Sequence, residues 1–194
     1  MPLIQPGLIF LSGLPVLATL LLGYQLLRNG QGALGKPSIS AVFFYAAKGV
    51  TGLAFACLFA AAADTAFFSL FPWLIQNEIP EVQKLMALVF LLGGNLLLIP
   101  GYYSLSIFTR VGIPTGPHTL LTTGIYRISR NPMYSSFIFF FTACFLLIPS
   151  LLLAAFLLFT LIAHHFIILK EEKYLSTTFK DQYLSYQKNT ARYL

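Results

Sequence analysis

Long apolar runs broken by short polar stretches leave this chain few ways to fold, because an uninterrupted run of roughly 20 apolar residues suffices to cross a bilayer. Such runs occupy residues 3–27, 39–63, 85–108 and 133–169. Pro6, Gly13 and Pro15 fall inside the first, a pattern that membrane helices tolerate. Pro149 and Ser150 divide the last into a short and a longer helix joined as a tight hairpin. The expected fold is therefore all-α, a single polytopic membrane domain over residues 1–194 with five transmembrane helices. Three N-terminal spans fill residues 1–109, and a functional half of loop, hairpin and C-terminal helix fills residues 110–194. Residues 64–84, too mixed to span, read as an interfacial segment and loop.

Composition supports the bilayer as solvent. The chain is 57% hydrophobic and 9% charged, against roughly 25% charged in soluble proteins. The formal charge of +6 does not point to nucleic acid, because the cations are scattered through loops without a dense run or interleaved aromatics. Anionic lipid headgroups are the simpler partner. Cys57 and Cys144 lie in apolar runs without metal or redox spacing, and so read as small buried residues. The start of the chain lacks the basic stretch of a secretory leader, so its first run is taken as a retained helix.

The placement of cations orients the helices, because cytoplasmic loops collect Lys and Arg. With the N-terminus outside, Arg28, Lys36, Arg110, Arg127, Arg130, Lys170, Lys173, Lys180, Lys188 and Arg192 lie inside, and only Lys84 lies outside. Lys48 is embedded in the second span, either snorkelling or capping a carbonyl, and an intramembrane charge invites a functional test. Two polar regions then share the cytoplasmic face: residues 110–134 and the tail after Lys170. In the tail Leu175, Phe179 and Tyr183 repeat at helical spacing, which predicts an amphipathic helix.

The first region contains HTLLTTGIYRISRNPMY, and the tail contains EEKYLSTTFKDQYLSYQKN. Together they place a histidine, arginines, an amide, tyrosines and two adjacent carboxylates within short reach, groups suited to a zwitterionic aromatic ligand. The pair resembles the C-terminal half of the isoprenylcysteine carboxyl methyltransferases and the related phospholipid methyltransferases, which show HTLVTSGVY, RHPxY, a glutamate pair and FGxxYxxYxxxV. The resemblance covers roughly the last eighty residues with nearly gap-free spacing. It implies a membrane-embedded enzyme that uses S-adenosylmethionine, releases S-adenosylhomocysteine, and methylates a lipophilic small molecule or prenylated acceptor at the cytoplasmic face. By position it implies that His118, Thr119, Leu120, Leu121, Tyr126, Asn131, Pro132, Met133 and Tyr134 contact the cofactor, with Glu171 or Glu172 on its amino group. Glu171, Glu172 and Arg130 are the residues expected to serve catalysis, and Arg127 or Arg130 could meet the cofactor's carboxylate.

Two positions depart from the family pattern. Asn131 replaces the histidine of RHPxY, and Ile167 or Ile168 stands where the eukaryotic enzymes place a basic residue four positions before the glutamate. A carboxylate acceptor needs no general base, whereas an amine acceptor would turn a glutamate or His118 into a candidate base. His164 and His165 share a helix with the glutamates and might be read as metal ligands, but no HExxH or second carboxylate–histidine pair accompanies them, so no metal is expected. Two other readings compete: a membrane steroid or sterol reductase with a nicotinamide cofactor, and a small transporter with Lys48 as its coupling residue.

Overall fold

The computed structural model describes residues 3–30, 36–63, 79–105 and 119–194. Within them the chain forms α1 (Ile4–Arg28), α2 (Ala41–Ala62), α3 (Glu81–Leu105), α4 (Pro132–Leu147) and α5 (Leu151–Asn189), with a 3-10 turn at Gly124–Arg127. Four of these, α1, α2, α3 and α5, are long and apolar enough to cross a membrane, while α4 is a shorter apolar helix. At most a third of each spanning stretch is buried against protein, leaving rows such as Phe10, Leu17 and Leu20 or Val89, Leu92 and Leu96 facing outward. Apolar surface of that extent belongs in lipid. The protein is an integral membrane protein.

Small residues set how closely the helices approach. A Cβ on Gly94 would stand 2.9 Å from the Phe140 ring, and one on Gly93 2.8 Å from Phe139. A Cβ on Gly101 would stand 2.8 Å from Met133 Cγ. This glycine face lets α4 lie along α3, the packing that small residues permit where no hydrophobic effect drives helices together. Asn95 reinforces it from the other side, its amide donating to Leu11 O at 2.9 Å across to α1. Gln83 donates to Leu146 O at 2.7 Å, tying the start of α3 to the end of α4. That tie marks one end of an antiparallel bundle, and the polar residues gather at the other.

Two boundaries differ from expectation. The third span begins at Glu81 rather than residue 85, because Glu81 and Lys84 form an ion pair across its first turn at 3.2 Å. The break in the tail does not fall at Lys170: the helix that opens at Leu151 continues past it to a kink at Lys180, beyond which a second helix runs to Asn189, since no Gly or Pro lies at Lys170 to break the first. Counted to the kink at Lys180, the first helix of α5 is longer than a span requires, and the second half of α5 lies beyond the apolar run that ends at Leu169. Within that half Lys180 leaves helical geometry, with φ 45° and ψ −120°, and the chain turns. The interfacial segment expected before α3 lies mainly outside the described residues, as do Arg110 and His118.

Candidate functional site

Residues 119–131 cross the polar end of the bundle between α3 and α4. Gly124 takes φ +60° at the start of the 3-10 turn, a conformation that glycine adopts without strain. The turn carries Tyr126 inward until it is 7% exposed. Asn131 then stands as the N-cap of α4, with Pro132 opening the helix, where a missing N–H costs nothing. The reversal at Lys180 brings the end of the chain back over this loop. Tyr186 donates to Tyr126 O at 2.6 Å, and Arg130 N donates to Ala191 O at 2.9 Å beside a parallel bridge between Ser129 and Ala191.

Arg130 and Glu172 form the centre of this closure. The Arg130 guanidinium donates to Glu172 through Nε at 3.1 Å and Nη2 at 3.4 Å, and through Nη1 to the carbonyls of Gln187 and Thr190. Asn131 Nδ2 adds a donor to Glu172 Oε1 at 3.1 Å, and Arg192 adds Nε at 3.0 Å on Oε2. The Glu172 carboxylate is 6% exposed and held by three side chains. Such a buried carboxylate persists because its charge and lone pairs are matched. Two guanidiniums against one carboxylate leave a surplus of positive charge at this point.

Glu171 meets a different environment one residue earlier. Among the described residues its carboxylate accepts only from Tyr134 Oη, at 3.1 and 3.2 Å. The other side of the Tyr134 ring carries the Lys48 ammonium, 4.9 Å from the ring centroid. His164 packs beside it, 5.4 Å between ring centroids. With His164 Nδ1 placed on Thr160 O at 2.7 Å, Nε2 is buried and lacks a partner among the described residues. His165 turns elsewhere, to Tyr193 Oη at 2.7 Å. Among the described residues no hydrogen bond joins either ring to the glutamates.

Between these two carboxylates lies a cavity of about 140 Å³ lined by Leu105, Thr119, Leu120, Leu121, Tyr126, Arg130, Asn131, Glu171, Glu172, Leu175, Tyr183 and Tyr186. The Tyr126 hydroxyl in its wall is buried without a hydrogen-bond partner among the described residues. Burial pushes this phenol well above its ordinary range, with the Tyr186 hydroxyl and Glu171 adding to the shift. It is a neutral donor lacking an acceptor, an arrangement that calls for a ligand or water.

Eight of the sequence-derived positions thus meet in one place: Thr119, Leu120, Leu121, Tyr126, Arg130, Asn131, Glu171 and Glu172. Pro132 and Met133 instead turn toward Gly101 of α3, and Tyr134 lies behind Glu171. Arg127 lines a separate surface recess with Gln182 and Asn189. His118 lies outside the described residues. Arg192 was not foreseen, because no motif includes it and its partner is twenty residues away. Lys180 carried a signal that went unused: it occupies the glycine position of FGxxYxxY and takes a glycine-like φ.

A profile of the phospholipid methyltransferase family matches residues 82–182. The chain belongs to the phospholipid methyltransferase family. It is accordingly a membrane methyltransferase. The matched region runs from the start of α3 to just beyond the Lys180 turn and includes ten of the twelve cavity residues, with Tyr183 and Tyr186 falling immediately after it. No curated protein matches the chain at a significant level. Both α1 and α2 lie outside the family match.

Proposed function

We propose that this protein transfers a methyl group from S-adenosylmethionine to a lipophilic acceptor, an isoprenylcysteine-like carboxylate in chemical type, at the cytoplasmic end of the bundle. The observation that carries the reading is the unpartnered Tyr126 hydroxyl in a cavity whose other walls offer opposite charges on opposite sides. Glu171, with only Tyr134 as a donor, is free to accept from an ammonium. Arg130 lines the cavity, and together with Arg192 it exceeds the charge of Glu172, a surplus that suits a carboxylate. Tyr126 supplies a donor, and Leu120, Leu121 and Leu175 supply apolar walls for an adenine ring. A zwitterion with an aromatic base fits this set.

The cofactor would supply an electrophilic methyl on a sulfonium; the acceptor's bond to that carbon forms as the carbon–sulfur bond breaks with its electron pair left on sulfur. Residues of this chain then need only bind, align and exclude water, and alignment alone is worth up to roughly 7–11 kcal/mol in the best intramolecular cases. A carboxylate acceptor releases no proton, so none of the carboxylates has to act as a base. Ten of the eleven loop cations fall at this end of the proposed topology, which supports its cytoplasmic placement.

Calorimetric titration of the purified protein with S-adenosylhomocysteine and with reduced nicotinamide dinucleotide phosphate tests the cofactor. Binding of the first and not the second is expected; the reverse would overturn the proposal in favour of a reductase. Labelled methyl transfer to prenylated cysteines, phosphatidylethanolamine, isoprenoid thiols and lipophilic amines then tests the acceptor, with label expected on the carboxylates.

A further inference from the structure

Lys48 is a cation embedded in the second span, and the counter-charge that acts on it, Glu171, reaches it across Tyr134 rather than by contact. It is half-buried two turns into α2. Among the described residues it has no ion pair or hydrogen bond, only the faces of Tyr134 at 4.9 Å and Phe44 at 5.5 Å. Cation–π contacts return about 0.5–2 kcal/mol, less than the several kcal/mol that an ammonium loses on leaving water. Glu171 offsets part of this cost from behind Tyr134, and on the groove side no anion lies against the ammonium among the described residues.

The ammonium stands at the polar end of an apolar groove of about 720 Å³ between α1 and α2, floored by Leu98 and Tyr102 of α3 and Phe137 of α4. Along α2 the groove runs from Lys48 to Phe59, roughly 16 Å of helix rise. Gly52 opens its wall: a Cβ there would meet nothing within 4 Å. Through Tyr134 the same ammonium adjoins Glu171 and hence the polar cavity. An apolar channel that ends in a cation touched by no anion among the described residues, beside the cofactor cavity, matches an amphiphile with a hydrocarbon tail and an anionic head.

We infer that the α1–α2 groove holds the hydrocarbon tail of the methyl acceptor and that Lys48 binds its carboxylate head, making Lys48 the residue that selects an anionic acceptor over an amine. This rests on the methyltransferase reading above and adds the acceptor's position and the residue that selects it. An ammonium head brought to the same point would meet Lys48 as a like charge.

The test measures binding, with the full chain in nanodiscs of phosphatidylcholine and three probes: a farnesyl thioether carboxylic acid, its methyl ester and the matching primary amine. A hydrogen-bonded charge is worth about tenfold or more in affinity, so the acid should bind at least that much tighter than the ester, and the amine weakest. Lys48→Met should bring the acid level with the ester, Lys48→Arg should retain the preference, and Gly52→Leu should weaken all three by filling the groove. Retention of the acid preference in Lys48→Met would overturn the inference. So would a wild type that prefers the amine, or displacement of the acid by phosphatidylglycerol at equal concentration, which would make the groove a site for bulk lipid. S-adenosylhomocysteine is titrated in parallel. If it binds and the acid shows no preference, the role of Lys48 alone fails; if it does not bind, the methyltransferase reading fails, and with it the identity of the groove's occupant as an acceptor.

Discussion

The two glutamates differ by one position and live in opposite chemical states. Glu172 is locked by Arg130, Asn131 and Arg192, whereas Glu171 has a single neutral donor, Tyr134. The same contrast separates two larger regions. At the end of α5 the chain ties its own polar groups together and closes over the loop at residues 119–131. Between α1 and α2 a wide apolar groove ends on a cation whose counter-charge, Glu171, lies behind Tyr134 and does not touch it. Saturated polar groups build a scaffold, and unsatisfied ones mark where a ligand enters. On that basis Glu172 holds the site in shape, and Glu171, Tyr126, Lys48 and the surplus positive charge of Arg130 and Arg192 are left for ligands.

The largest effect should come from the saturated side. Arg130→Ala removes the main partner of buried Glu172 and the clasp on the carbonyls of Gln187 and Thr190. Breaking such a buried pair costs about 3–5 kcal/mol, so a steep fall in thermal stability in detergent, with loss of S-adenosylhomocysteine binding, is expected. A stability close to wild type would show that Glu172 is not a scaffold residue. Next in size, Gly94→Leu drives a side chain into the Phe140 ring. Overpacking of this kind costs about 1–3 kcal/mol, again read as a lowered unfolding temperature. The same residue type placed at Gly52, on the open groove, should leave that temperature unchanged.

Lys180→Gly should act in the opposite direction. The left-handed φ at this position costs a side-chain-bearing residue about 1–2 kcal/mol, and glycine relieves it while losing some entropy in the unfolded chain. A net gain of about 1 kcal/mol, visible as slower proteolysis of the C-terminal segment, is expected. The smallest stability effect belongs to Tyr126→Phe. Its hydroxyl has no partner to lose, so the unfolding temperature should hold while affinity for S-adenosylhomocysteine falls about fivefold, the worth of one hydrogen bond of roughly 1 kcal/mol. A drop in stability with unchanged affinity would place the hydroxyl in the scaffold instead.

Local features of the chain made much of this legible. Hydropathy located α1, α2, α3, α4 and the start of α5 to within a few residues, because each apolar run is long and bounded by polar residues or proline, but it did not carry α5 past Lys170, where the helix leaves the apolar run. The loop and glutamate motifs named eight of the residues that meet in the cavity, because spacing along a helix and across a tight turn is a short-range property. What remained hidden depends on contacts between residues far apart in sequence. The division of labour between Glu171 and Glu172 follows from which side of α5 faces Arg130. That arrangement depends in turn on the Lys180 turn, which returns Arg192 to the loop. The setting of Lys48, against Tyr134 with Glu171 behind it, appears only once α2 is laid beside α4. A lysine in an apolar run says that something polar is near, but not what.

The division between a donor cavity and an acceptor groove is tested most directly by a crossed titration. Glu171→Gln and Lys48→Met are each measured against S-adenosylhomocysteine and against the farnesyl thioether acid. The account predicts a crossed pattern: Glu171→Gln loses about tenfold for the first ligand and keeps the second, while Lys48→Met does the reverse, since each removes one charged contact. Loss of the same ligand in both variants, or of neither, would contradict it.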